Sequence, residues 1–180
     1  MKPVSGRIEV LTFKQGLLSK VAHDLLLELR RFDLRTDGRK VEGTFVLTSL
    51  SVEGVMHGGV LDAHGLSESD RHDITGNVQK KVLHTADFPE AKFVGQAVRG
   101  SGEHTVSGAL TLAGKTQDIT LTVREADGRW RGQIELVPTR WGIQPFKALL
   151  GAIKLEDRVV VRFDLAVVEH DIDAQGPGHG

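Results

Sequence analysis

The sequence of 180 residues contains no cysteine. Disulfides, thiol catalysis, cysteine-ligated zinc and iron–sulfur clusters are therefore excluded. Tyrosine is absent and tryptophan occurs twice, so aromatic platforms for sugars are scarce. Neither charge sign dominates: 23 Lys and Arg stand against 24 Asp and Glu, a net charge of −1. A nucleic-acid binder usually shows a basic domain or stripe, so no nucleic-acid partner is expected. A polyanionic tail is missing as well. No run approaches the ~18 apolar residues of a membrane-spanning helix, so no stable membrane insertion is expected. The opening Met1-Lys2-Pro3-Val4-Ser5-Gly6-Arg7 leads into no apolar h-region. It does not read as a secretory signal, and the expected location is the cytoplasm.

Glycine is what the chain has in excess. Its 21 copies exceed the usual ~7% of residues. They are scattered, which suggests the many tight turns of an all-β domain. A chain of this length buries roughly 70% of its extended surface, enough for a real core. One domain over 1–170 is expected, followed by a polar, glycine-rich tail at 171–180 that should fray.

Strict alternation supports the all-β reading. Between Arg158 and Val168, Val159, Val161, Phe163, Leu165 and Val167 share one face. Ile119, Leu121 and Val123 alternate with Thr120, Thr122 and Arg124, and Trp130, Gly132, Ile134 and Leu136 alternate with Arg131, Gln133 and Glu135. The Asp127-Gly128 pair between these runs predicts a hairpin. Val106, Gly108, Leu110 and Leu112 form the apolar side of another strand, linked onward through Ala113-Gly114. Further strands are predicted over Arg7–Phe13, Asp24–Leu34, Val41–Leu47 and Ala91–Val98, and a short helical turn over Gly16–His23. Asp70–Leu83 lacks alternation and spaces Ile74, Val78 and Val82 by four, one stripe of an amphipathic helix. Ser69 or Asp70 is its expected N-cap. About eight strands with one apolar face require a two-sheet sandwich or a closed barrel. Eight strands suit a barrel with room for its own side chains or one small ligand. Periodicity alone leaves both open.

Several segments, taken in order, resemble the YceI-like proteins, a polyisoprenoid-binding, lipocalin-like family. Lys20-Val21-Ala22-His23-Asp24 resembles the family's early histidine before a strand, and Gly43-Thr44-Phe45 its following glycine–x–phenylalanine strand. The helix after Asp70 and Asp87-Phe88-Pro89-Glu90-Ala91-Lys92-Phe93 are similar to the segments that come next. Val106 to Thr116 resembles the family's Gly-x-Leu-Thr-x-x-Gly-x-Thr hairpin, the most specific piece. Arg140-Trp141-Gly142-Ile143 resembles a segment near the family's end. The resemblance runs from about Ser5 to Val168. It implies an extended antiparallel lipocalin-like β-barrel with a helix against it. It also implies an apolar cavity for a long-chain ligand: an isoprenoid, an isoprenoid quinone or a fatty-acid derivative. Such binding needs no cofactor and no catalytic residue. The expected lining is Phe45, Phe93, Leu110, Leu112, Leu121, Trp130, Ile134, Phe146, Val161 and Phe163. These residues would equally serve as plain core.

Two other readings compete. Eight histidines are many, and imidazole is a common zinc ligand. His57, His64, His72 and His84 are spaced by seven, eight and twelve, which matches no standard zinc pattern. A metal-dependent or hydrolytic enzyme would draw on His57, His64 and His72. His23-Asp24 could suggest a base with its orienting acid, but neighbours in a strand point to opposite faces. His23 fits better as a structural hydrogen bond or as the polar end of a ligand site. No Gly-x-Ser-x-Gly elbow offers a nucleophile. The other alternative is a solid barrel whose outer face binds a protein. Pro145 to Ile153 is apolar without alternating and is expected as a helix-like flap or a loop at the barrel mouth. Together with edge strands it could pair two chains, so a homodimer is also an expectation.

Overall fold

The structure, a computed structural model, describes residues 1–15, 23–148 and 153–168. Its strands are β1 (Lys2–Lys14), β2 (Leu25–Leu29), β3 (Phe32–Thr36), β4 (Lys40–Val46), β5 (Leu50–His57), β6 (Val60–Asp62), β7 (Glu90–Arg99), β8 (Glu103–Leu112), β9 (Lys115–Ala126), β10 (Arg129–Leu136), β11 (Lys147–Ala148) and β12 (Ile153–Val167). One helix, α1 (Glu68–Asn77), lies between β6 and β7.

Eight of these strands close a barrel. The order runs β12-β10-β9-β8-β7-β4-β3-β1, and β1 returns to β12. The closing pair is antiparallel from Val4 opposite Val167 to Thr12 opposite Val159, with a bulge before Lys14. Closure removes the edges that alternating strands would otherwise expose. At Gly6 the two closing backbones come so near that a Cβ would sit 2.2 Å from the Asp164 carbonyl oxygen, so only glycine fits. Two-residue turns at Ala113-Gly114 and Asp127-Gly128 hold both residues at positive φ. That is the geometry that matches hairpin twist.

The barrel is not regular all the way round. The first part of β1 pairs with β3, and its later part pairs with β2. The strand predicted over Asp24–Leu34 is therefore broken at Arg30-Arg31, where the Ser49 hydroxyl accepts from the Arg31 N–H at 2.9 Å. β2 then leaves the barrel and carries β5 and β6 beside it. The β5–β6 hairpin was not expected from the sequence. α1 packs on this branch: the Thr75 hydroxyl accepts from the Val52 N–H at 3.1 Å, and the Gln79 amide donates to the Leu50 carbonyl at 3.1 Å. Its N-cap is Ser67, in a capping box with Asp70, rather than Ser69 or Asp70. Beyond Asn77 the helix widens into a π-turn over Val78–Val82. Ile74, Val78, Val82 and Leu83 pack against the buried clusters of the barrel and fill the gap where β2 diverges. Of the Pro145–Ile153 segment, 149–152 lie outside the described residues; Pro145 and Phe146 are loop, and Lys147–Ala148 form the short strand β11 paired with the start of β12. The turn predicted at Gly16–His23 falls mostly on 16–22, and the tail on 171–180; both lie outside the described residues.

The outer face of the closure is held by ion pairs. Glu9 accepts from both Arg162 and Arg7. Asp164 accepts from Arg129 at 2.5 Å and Arg131 at 3.1 Å. Burial disfavours the Glu9 carboxylate, but its two arginines outweigh that and keep the carboxyl below its ordinary range. For Asp164 the Arg129 hydrogen bond is the largest influence; together with Arg131 it outweighs desolvation and lowers the carboxyl as well. A carboxyl that ionises more readily folded than unfolded stabilises the fold above the ordinary carboxylate range. That contribution disappears as pH falls through the lowered folded value. Urea unfolding should therefore show level stability from pH 7 to about pH 5 and a steady fall below about pH 4.5. Glu9→Gln should flatten that acid limb; an unchanged limb would remove the pair from the explanation.

Candidate functional site: the barrel interior

The barrel encloses a cavity of about 730 Å³ with an almost wholly apolar wall. Strand parity builds this wall. Val159, Val161, Phe163 and Leu165 face inward from β12; Val4, Ile8 and Val10 from β1; Val106, Leu110 and Leu112 from β8; and Ile119, Leu121 and Val123 from β9. All ten residues expected as lining, including Phe146, stand on this wall. The sequence reading missed Leu25, Leu27 and Leu29 of β2, and Ile74 and Val78 from the helix side, which also line it.

Glycines keep the centre open. A Cβ on Gly95 would meet the Phe93 ring at 2.6 Å, and one on Gly43 would meet the Phe45 ring at 2.8 Å. A Cβ on Gly132 would meet the Phe163 ring at 2.7 Å. Gly43 and Gly95 lie two residues from their phenylalanines on the same strand, and Gly132 lies directly opposite Phe163. Each ring thus folds back along the wall over a position without a side chain.

The two ends differ. One end is lined by Gln144, Pro145, Phe146, Leu155, Thr12 and His23. There Arg158 donates to Glu156 at 3.0 Å and stacks 3.8 Å over the Phe13 ring. The opposite end carries the β3–β4, β7–β8 and β9–β10 turns, and its lining includes Thr36, Arg99, His104 and Glu125. Gly100 N–H donates to His104 Nδ1 at 3.3 Å, which leaves the proton on Nε2, 2.6 Å from Glu125 Oε2. This hydrogen bond is the main cause that holds the Glu125 carboxyl below its ordinary range.

The competing histidine site does not assemble. Among the described residues no three His, Asp or Glu side chains converge as metal ligands. His57 Nε2 is 3.9 Å from Asp62 on the β5–β6 hairpin, and His72 lies on α1. His23 lines the cavity, whereas Asp24 accepts from the Lys14 N–H at 2.8 Å. The two are turned apart, as their adjacency requires. Among the described residues no helix is long and apolar enough to cross a membrane.

Comparison with solved structures finds the same architecture. BcnA of Burkholderia cenocepacia superposes with a TM-score of 0.63 at 14% identity, over 89% of this chain and 94% of BcnA. A polyisoprenoid-binding domain from Saccharophagus degradans, implicated in plant cell wall breakdown, gives 0.58 at 14% identity, over 91% of this chain and 95% of that one. The YceI protein of Campylobacter jejuni gives 0.58 at 12% identity, over 80% and 85%. At such identities these likenesses show the fold alone. No curated protein matches significantly in sequence. The YceI-like domain model, however, matches residues 19–167. That span holds the Gly-rich hairpin, the helix and all ten lining positions, and the chain belongs to the YceI-like family.

Proposed function

We propose that the protein binds a long-chain hydrophobic ligand inside the barrel, to store or carry it, without transforming it. An isoprenoid, an isoprenoid quinone or a fatty-acid derivative fits the description. The observation that carries this reading is the continuous apolar cavity of about 730 Å³, within the ~300–1,000 Å³ usual for ligand sites. The Saccharophagus domain of the same fold is described as polyisoprenoid-binding, which agrees with it.

The energetics favour a long ligand. Each methylene taken from water contributes about 0.8 kcal/mol, while association costs roughly 4–15 kcal/mol. A short molecule cannot offset that cost, but a chain of a dozen or so methylenes can.

Native mass spectrometry of protein purified without detergent tests the reading. The expected spectrum contains an adduct released by organic solvent, or one formed on incubation with a long-chain prenol. A bare protein mass under both conditions would favour a barrel that acts only through its outer surface.

A further inference from the structure

On three neighbouring strands the apolar rows of the wall do not end in apolar residues at the turn end. On β7 the row Ala91, Phe93, Ala97 ends in Arg99, and on β8 the row Leu110, Val106 ends in His104. On β9 the row Leu121, Val123 ends in Glu125. Arg99 stands directly opposite His104, and Glu125 directly opposite Trp130. Parity thus aims one cation and one carboxylate at the same end of the lumen.

Their hydrogen-bonding capacity is unevenly used. Glu125 accepts from His104. A carboxylate offers about four acceptor positions, so some remain. The Arg99 guanidinium reaches over the β3–β4 turn, with Nη2 3.1 Å from where a Cβ on Gly38 would sit. Among the described residues no hydrogen bond or ion pair holds it, and a guanidinium carries five donors. The other end is different, because Arg158 there is already committed to Glu156.

We infer that the turn end is a head-group site for an uncharged, hydroxyl-bearing chain terminus, with Arg99 donating to the oxygen and Glu125 accepting from the O–H. A hydroxyl supplies one acceptor and one donor, which is the complement of this pair. A carboxylate head could use Arg99, but it would face the Glu125 charge with no proton to offer. A bare hydrocarbon end would use neither residue. This inference rests on the cavity holding a chain, and it adds the chemistry of the chain's far end and the direction in which the chain lies.

Displacement of an apolar fluorescent dye by hexadecanol, hexadecanoate and hexadecane at pH 8 tests it. Hexadecanol should bind about tenfold tighter than hexadecanoate, in keeping with hydrogen bonds to charged groups discounted for partial exposure. Glu125→Gln removes the repelling charge, so the alcohol and the acid should come within about twofold of each other. Arg99→Gln should weaken the alcohol about fivefold and leave hexadecane unchanged. If all three compounds displace the dye but neither variant alters the alcohol-to-acid ratio, the head lies elsewhere and the inference fails while chain binding stands. If none displaces it, chain binding fails and this inference with it.

Discussion

Trp141→Ala should lower the thermal midpoint by about 10 °C. The side chain is 1% exposed, and its indole N–H donates to the Leu110 carbonyl at 3.0 Å. It closes the 3₁₀ turn Pro138–Trp141, which Gly142 caps in the left-handed region with φ 75°. Other bonds pin the turn to the barrel. Asp157 accepts from the Thr139 N–H at 3.1 Å, and Gln117 donates to the Arg140 carbonyl at 2.9 Å. With the turn held, the structure cannot collapse into the space left by an alanine. A large core aromatic truncated to alanine costs about 3–5 kcal/mol. For a chain of this size each kcal/mol moves the midpoint roughly 2–4 °C. Trp141→Phe keeps most of the volume and forfeits the hydrogen bond, so it should cost about 1–3 kcal/mol. Circular dichroism melts of both variants check the pair. Equal losses would mean that the indole N–H, not the packing, is what matters.

The reason Trp141 matters connects fold to function. Leu110, whose carbonyl it holds, lines the cavity. Trp141 itself sits in the buried cluster with Phe93, Val106 and Leu136. An open lumen forfeits the stabilisation that a filled core would supply. The wall itself recovers part of it: Trp141, Ile143 and Leu25, Leu27 and Leu29 of β2 line the cavity and are still almost fully buried by their other contacts.

Much of this could be read from the residues alone. A period of two fixes which side chains share a face, so the rows on β8, β9, β10 and β12 could be named without coordinates. What parity cannot show is whether facing rows meet or stand apart. That depends on closure between β1 and β12, a pairing of residues more than 140 positions apart, such as Glu9 and Arg162. The glycines under Phe45, Phe93 and Phe163 were visible as gaps in the alternation, but their partners were not, since Gly132 meets Phe163 only across a strand pair. The break at Arg30-Arg31 did leave a trace. Leu25, Leu27 and Leu29 line the cavity at odd positions, and Leu34 and Thr36 at even ones, a phase slip of one residue. β6 spans only Val60–Asp62, too short for alternation to register. The π-turn after Asn77 keeps apolar residues four apart, which an ordinary helix would also do. His104 and Glu125 were in phase with their apolar rows, and that phase is the signal that could have found them.

Ala97→Trp should weaken the binding of long chains at least tenfold and leave somewhat shorter hydrocarbons bound. Ala97 lies on the inward row of β7, between Phe93 with its Gly95 and the terminal Arg99. The position is only half-buried, and its backbone N–H is taken by the Arg39 carbonyl at 2.7 Å, so the strand there is fixed. An indole added at this level has nowhere to go but the lumen, and it would divide the tunnel just above the polar end. Chains that need the full length should lose at least tenfold in affinity, since two displaced methylenes already amount to about 1.6 kcal/mol. A hydrocarbon short enough to stop above the plug, with no head group to reach Arg99 and Glu125, should bind as before. Stability supplies the second readout. In an open lumen the indole gains burial and the thermal midpoint holds or rises. In a packed core the same insertion costs about 1–3 kcal/mol through forced rotamers and backbone shifts. A lowered midpoint together with unchanged chain-length preference would mean that the interior is filled, and the reading of the barrel as a chain-binding tunnel would fall with it.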